Sequence, residues 1–318
     1  MTSTEVPTVS IILPTYNRGT LIAPAIDSVL HQTFTDFELI IIVDGSTDDT
    51  MQRLAPYRNR ARIEYQANAG LGAARNHGLK LARSRYVAFI DDDDTWHPEK
   101  LRIQMEFFAA HPECSIVSVP AATIERPAVI LDNALLLRDA NGLVRRPFKH
   151  KAAGNLLISP CGIMIDRLKA PQASFYPVRG CLEDITLLAA ALSLGELGIA
   201  GDTPLIFINE GSAGSLGAAA NSWILARSHM RSLLATGKLG PRHGELGADI
   251  RALVGYIGRM AAMRCLNAGR PRDAACIYCR EIHRQILLGR IRFIIGFPIL
   301  LALHCCRRQP EATAASGA

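Results

Sequence analysis

Long hydrophobic runs are missing from this 318-residue chain. Its most apolar stretch, Ile286 to Leu303, is broken by Arg290 and Arg292, and the uncharged core runs only from Phe293 to Leu303. A membrane-spanning helix needs roughly 20 apolar residues, so no span is expected. The stretch suits a peripheral membrane contact with arginines at the headgroups, a helix docked on the rest of the chain, or an oligomer contact. The start, Met-Thr-Ser-Thr-Glu-Val-Pro, has no basic segment followed by an apolar one, so no signal peptide is expected. Aromatic residues are scarce, at 6%, and nowhere interleave with basic residues in a tract. The net charge of +6, from 35 basic and 29 acidic residues, permits an anionic ligand, but no nucleic acid is expected as a partner. The eight cysteines are scattered, as suits a reducing compartment. Cys276-x-x-Cys279 lacks a second pair at zinc-site spacing and reads as two positions on one helix. A dinucleotide fingerprint is lacking too. The first strand has no glycine loop, and in Gly70-x-Gly72-x-x-Arg75 the third glycine is replaced, which argues against a nicotinamide or flavin enzyme.

What is present is a globular composition, 49% apolar and 20% charged. Val9–Leu13 reads as a strand, ended by the turn chemistry of Pro14-Thr15-Tyr16-Asn17-Arg18. Ile22, Ile26, Val29 and Leu30 recur at helical spacing, which predicts a helix over Leu21–His31. A second strand, Glu38–Val43, runs into Asp44-Gly45-Ser46. This β-α-β beginning implies a parallel pair. A short third strand, Arg62–Tyr65, precedes Asn68–Gly78, a glycine-rich helix start. There Arg75 suits a bidentate pair with a diphosphate, or is a plain surface arginine.

Tyr86–Ile90 is a fourth apolar run and ends in Asp91-Asp92-Asp93-Asp94. Four adjacent acids repel one another. Either a hard divalent cation compensates them, or they form a solvated loop in which Asp94 or Thr95 caps the next helix. The strand ends at Pro14–Arg18, Asp44–Ser46 and Asp91–Asp94 point at one sheet edge, where open α/β sheets place their ligands. A nucleotide across that edge would find Asp44 near its sugar or base.

Glu99–Ala110 reads as a helix with Leu101, Met105 and Phe108 on one face, and Cys114–Val119 as the next strand. Residues 120–155 read as irregular and end in a basic run that includes Arg145, Arg146, Lys149 and Lys151. That run is either a solvated surface or a site for an anionic acceptor. Ser159–Asp166 is a turn into a strand. Glu183-Asp184 precede an apolar helix reaching Leu194, as ordinary helix-start chemistry allows. Pro204–Ile208 belongs to the last sheet-like pieces. The chain then turns helical from Ala218, with loops at 237–247 and 269–273.

Four blocks carry a resemblance. Val9–Arg18 (VSIILPTYNR), Glu38–Thr50 (ELIIIVDGSTDDT), Asn68–Gly78 (NAGLGAARNHG) and Phe89–Leu101 (FIDDDDTWHPEKL) are similar to the ordered signature blocks of family 2 glycosyltransferases, over roughly residues 8 to 215. The resemblance implies a GT-A fold, an α/β architecture with a mostly parallel central sheet flanked by helices. Residues 1–217 would form the catalytic domain, with a nucleotide-binding half over 8–119 and an acceptor half over 120–217. A helical extension would follow over 218–308, and a disordered tail over 309–318. The implied reaction is inverting transfer of a sugar from a nucleotide-diphosphate donor, a UDP-sugar foremost. The acceptor would be a glycan or a polyprenyl-diphosphate-linked glycan in polysaccharide biosynthesis, in the cytoplasm or at the cytoplasmic face of the inner membrane.

By the same resemblance, Pro14, Tyr16, Asn17, Asp44, Asn68, Gly70, Arg75, Asp91 and Asp92 would contact the donor. Asp91-x-Asp93 would hold Mg2+ or Mn2+, with Asp93 the direct ligand, leaving Asp92 and Asp94 to serve the turn and helix start. Asp184 would be the catalytic base, and Glu183 its supporting neighbour. Two departures stand out. The paired acids usual before Gly-Ser are Val43-Asp44 here, and an Arg-x-His pattern is replaced by Asn209-Glu210-Gly211. Two other readings compete. A nucleotidyltransferase would want a basic glycine loop that Leu13–Gly19 does not supply. A catalytically weakened nucleotide-sugar-binding or scaffold protein would bind donor without turnover.

Overall fold

The computed structural model describes residues 6–131, 134–153, 156, 158–177, 183–209, 220–237, 244–287 and 289–306. The apolar runs of β1 (Val9–Thr15) and β2 (Phe37–Asp44) do not alternate because both faces are covered. Ile11, Leu13, Ile41 and Val43 face one core with Ile22, Ile26 and Val29 of α1 (Ile22–Leu30). Ile12, Ile40 and Ile42 face the other. A short α2 (Thr50–Arg53) leads to β3 (Arg62–Gln66). α3 (Leu71–Leu81) then packs Ala74 and Leu79 into that second core. β4 (Tyr86–Phe89) delivers the four acids and is followed by β5 (Thr95–Trp96) and α4 (Lys100–Ala110). Next come β6 (Cys114–Ser118), β7 (Ala121–Thr123), α5 (Ala134–Leu137), β8 (Leu143–Val144) and α6 (Pro147–Ala153). β9 (Met164–Asp166), α7 (Ile185–Leu192), β10 (Glu196–Ile199) and β11 (Ile206–Ile208) complete the sheets.

The main sheet has the order β3-β2-β1-β4-β9-β6-β10-β8. β3, β2, β1 and β4 are mutually parallel, as the crossovers require. β9 runs antiparallel between β4 and β6. A small second sheet has the order β5-β11-β7, and its β5 follows directly on the acidic loop. The described part of residues 120–153 carries more regular structure than its sequence predicts. Phe148 and Ala152 of α6 are buried, one helical turn apart, against a helix that begins nearly a hundred residues later.

That helix is α9 (Gly244–Asn267), flanked by α8 (Ala220–Thr236), α10 (Pro271–Leu287) and α11 (Ile291–Cys306). Leu253 and Ile257 of α9 share one continuous core with α3, α6 and α7. Arg146 holds Asp249 with bonds of 2.6 and 3.0 Å from its two nitrogens to Oδ1. Glu281, buried in α10, is met by Arg227 at 2.7 Å, Arg284 at 3.2 Å and Arg231 at 3.5 Å, so that one acid binds α8 to α10. Cys276 and Cys279 are exposed free cysteines on α10. Among the described residues, no helix is long and apolar enough to cross a membrane. The expectations for Glu210-Gly211, for residues 238–243 and for the tail 309–318 lie outside the described residues.

Candidate active site

The loops after β1, β2 and β4 meet at the C-terminal edge of the sheet. Pro14 is buried at the end of β1, and Tyr16 projects with 48% of its surface exposed. Asn17 takes a left-handed φ of 52°. Its N–H donates to Ser46 Oγ (3.0 Å), and its Oδ1 accepts from the Thr47 N–H (2.8 Å), which stitches the first strand end to the second.

Asp44 is buried at the end of β2, and both of its oxygens are engaged. Oδ1 accepts from Gln66 Nε2 (2.7 Å) and the Ala69 N–H (2.8 Å), and Oδ2 accepts from the Gly70 N–H (2.8 Å). Gly45 has φ +75°, and a Cβ there would stand 2.6 Å from the Asn68 nitrogen. Asp44 and Gly45 therefore clamp the Asn68–Gly70 segment on which α3 begins. Asp44 shapes the edge through that loop.

The acidic loop folds back on itself. The Asp94 N–H donates to the Asp91 carbonyl (3.2 Å), and the Asp91 N–H to Cys161 Sγ (3.2 Å). Asp94 was expected at the helix start, but α4 begins only at Lys100. The intervening chain pairs with β11, with the Trp96 N–H on Ser28 Oγ and Trp96 Nε1 on the Cys161 carbonyl. Asp94 is buried instead and accepts from the Asn209 N–H (3.1 Å). Burial pushes its carboxyl up to about 7, with Asp91 adding to the effect. Burial likewise raises Asp92 to about 7, against the opposing influence of Thr15 and Arg18. Asp93 lies 3.5 Å from Arg18 Nη1.

Arg75 is almost wholly buried, and its guanidinium is not turned to open solvent. Nη2 meets Asp91 (2.5 Å), Nη1 meets Glu183 (2.7 Å), and the group lies over the Phe175 ring at 5.0 Å. One arginine thus joins the acidic loop after β4 to the acids before α7. Burial pushes Glu183 up, with Arg75 opposing. Asp184 sits at the N-cap of α7, buried and without a side-chain capping bond, 3.9 Å from Lys151 Nζ of α6. The Tyr176 N–H donates to the Glu183 carbonyl (2.9 Å), and a Cβ on Gly72 would overlap the Tyr176 carbonyl oxygen. The start of α3 and the acids before α7 are therefore in close contact.

Among the described residues, one group of side chains has donor atoms close enough to share a cation: Asp91, Asp94 and Cys161, all within 4.8 Å. Burial pushes the Cys161 thiol well above its usual range, and a protonated sulfur is a poor ligand for a hard ion. The carboxylates fit such an ion. Among the described residues, the ion pairs to the four acids and Glu183 come from Arg18 and Arg75, and two of the carboxyls are already driven toward neutrality. The expected pair, Asp91 and Asp93, is arranged differently: Asp91 belongs to the converging group, and Asp93 faces Arg18.

The sequence offered no role for Arg18, Cys161 or the Lys100–Gln104 pair, and it marked Lys151 only as part of a basic run, not as a neighbour of Asp184. Lys100 is fully buried, 3.8 Å from the centre of the Trp96 ring, and donates to Gln104 Oε1 (2.9 Å). Burial lowers its pKa to about 7. Gln104 Nε2 donates to the Val117 and Gly162 carbonyls (2.8 and 2.9 Å), fixing the turn that carries Cys161. The available signal was a polar i, i+4 pair in line with Leu101 and Phe108.

A sequence model of glycosyl transferase family 2 matches residues 10–158. The Bacillus subtilis protein named "Putative teichuronic acid biosynthesis glycosyltransferase TuaG" is 43% identical over 177 residues, 54% of this chain and 68% of that protein. Uncharacterized glycosyltransferases of Rickettsia felis, Rickettsia conorii and Rickettsia bellii, 42–46% identical over 101 residues, and the chondroitin synthase of Escherichia coli, 35% identical over 132, are matched over only 15–19% of their own length. Among solved structures, S. aureus TarS 1-349 in complex with UDP-GlcNAc superposes with a TM-score of 0.61 at 19% identity, covering 87% of this chain and 89% of that one. The mannosyltransferase PcManGT of Pyrobaculum calidifontis, in complex with GDP-Man and Mn2+, gives a TM-score of 0.54 at 16% identity, covering 96% and 89%.

Proposed function

Because the chain belongs to glycosyl transferase family 2 and has the GT-A fold, we propose that it transfers a sugar from a nucleotide-diphosphate donor, a UDP-sugar foremost, to a hydroxyl of a glycan or lipid-linked glycan, with inversion at the anomeric carbon. The observation that carries this reading is the Asp91–Arg75–Glu183 bridge, which brings the acidic loop and Asp184 to one edge of the sheet. The UDP-GlcNAc held by TarS and the GDP-Man and Mn2+ held by PcManGT support the same donor class and a divalent cation.

In this reading the nucleoside lies along Pro14, Tyr16, Asn17 and Asn68, with Asp44 holding the Gly70 loop beneath it. Asp91 and Asp93 would hold Mg2+ or Mn2+, and Asp92 shapes the loop around them. Such an ion, when bound, neutralises charge on the departing diphosphate. Asp184 takes the proton of the acceptor hydroxyl as its oxygen attacks the anomeric carbon on the face opposite the diphosphate. The bond to the diphosphate breaks as the new glycosidic bond forms, so no covalent sugar–enzyme species is needed. Arg75 acts as a positioning residue: it fixes Glu183, and through it Asp184, relative to the donor acids.

The test is donor turnover with a panel of nucleotide sugars, with and without Mn2+. At least one donor should be hydrolysed or transferred in a metal-dependent way. Asp184→Asn should lose about 10²–10⁴-fold in turnover, as expected for removal of a general base, while donor affinity stays near that of the native protein. Binding without turnover by the native chain would instead favour a sugar-binding role. Loss of donor affinity in Asp184→Asn would end the base assignment.

A further inference from the structure

α11 has two unlike faces. On the inner one, Phe293 and Phe297 meet Tyr278 of α10 with ring centroids 5.5 and 5.0 Å apart, and the Tyr278 hydroxyl donates to the Ile294 carbonyl (2.6 Å). On the outer one, Ile291, Ile295, Ile299 and Leu303 follow at every fourth position with Leu300 beside them, each between 45% and 65% exposed. Ile286 and Leu287, just before the helix, are exposed as well. A continuous apolar stripe of this kind is unusual on a soluble surface.

The charge around it identifies what covers it. No acidic residue occurs between Ile282 and Cys306. Residues 220–306 carry 13 basic and four acidic side chains, a net +9, whereas residues 1–219 carry 20 and 24, a net −4. Arg292 is exposed at the start of the stripe. Among the described residues, neither Arg259 nor Arg290 has a carboxylate partner. Arg259 donates to neutral acceptors, Gln285 Oε1 (2.8 Å) and the Ala152 carbonyl (3.4 Å), and Arg290 Nε is buried with no partner. Burial first, and the neighbouring Arg290 second, hold Arg259 down to about 10. A second copy of the chain would bring the same cationic surface against itself. An anionic lipid surface supplies both an apolar layer and phosphates.

We infer that α11 lies in the plane of an anionic bilayer surface, its outer stripe set among the acyl chains and Arg290 and Arg292 on lipid headgroup phosphates. Among the described residues no helix is long and apolar enough to cross a membrane, and a helix lying in the surface plane matches the one-sided stripe of α11. This contact rests on the surface of α11 and not on the donor chemistry, so the two can fail separately.

The experiment is flotation of the full chain with vesicles of phosphatidylcholine alone and of phosphatidylcholine mixed with phosphatidylglycerol. The protein should float with the anionic vesicles only, and added salt should release it. Arg292→Ala should weaken binding about fivefold, as expected for one basic residue at an anionic surface. The pair Ile295→Glu and Ile299→Glu should abolish flotation while leaving the melting temperature and donor turnover unchanged. Equal binding to neutral vesicles, or none to anionic ones, overturns the inference. So does a concentration-dependent dimer in light scattering that the same pair of substitutions dissolves, because the stripe would then belong to a second copy.

Discussion

Arg75 shows how one side chain decides the geometry of the site. Its position in a glycine-rich helix start suggested a hand reaching for phosphate, yet its guanidinium is buried between Asp91 and Glu183. Breaking one side of a buried ion pair typically costs about 3–5 kcal/mol. Arg75→Met is therefore expected to lower the unfolding free energy by about that amount in urea titrations, and Arg75→Lys by less. An Arg75→Met variant as stable as the native chain would show that the two carboxylates do not depend on it. Asp92 and Asp94 make a second prediction at this scale. Their carboxyls are raised from 3.8 to about 7 by burial, so the folded chain keeps protons that the unfolded chain releases. Their contribution to stability is full below the unfolded value and is lost as pH rises through about 7. A divalent cation competes with those protons. Thermal unfolding with Mn2+ should show a small stabilisation at about pH 5 and a large one at about pH 8. Equal shifts at both would place the ion away from these acids.

At the scale of elements, what could be read from the sequence was what local pattern determines. β1, β2 and β4 announce themselves because strands covered on both faces need unbroken apolar runs, and the turn residues after them mark the ligand edge. α6 was not legible. Pro147-Phe148-Lys149-His150-Lys151-Ala152-Ala153 looks like a basic loop, and only Phe148 and Ala152, pressed on α9, make it a helix. β5 was hidden for the same reason: two residues form a strand only because β11 arrives from far along the chain. Within the site, the acids and Asp184 were visible as motifs. Cys161 and Arg18 were not, because a single residue carries no period and its role depends on tertiary neighbours, and Lys151 was visible only as one member of a basic run. α3 yields the prediction for this scale. Its first turn lies directly on the backbone at Tyr176, where a side chain on Gly72 has no room. Gly72→Ala should displace the segment carrying Glu183 and Asp184, costing about 1–3 kcal/mol of stability and a larger share of turnover. Full turnover in that variant would show that the acids are not held from this side.

Across the whole molecule, the helical C-terminal region and one face of the sheet share a single core. The two tryptophans sit on either side of the expected boundary: Trp96 against the acidic loop and Trp223 on α8, both buried. Chains carrying one or the other, made by Trp96→Phe and Trp223→Phe, should report coincident denaturation midpoints after allowance for the small cost of each substitution. Separate midpoints would mark an independent unit. The shared core also bears on inheritance. A recombination joining residues 1–217 to a foreign C-terminal region would strip the cover from Phe148 and Ala152 and leave Arg146 without Asp249. The contact between α6 and α9 is therefore a seam that gene exchange cannot cut cleanly: residues 1–217 and the helices that follow must change together or not at all.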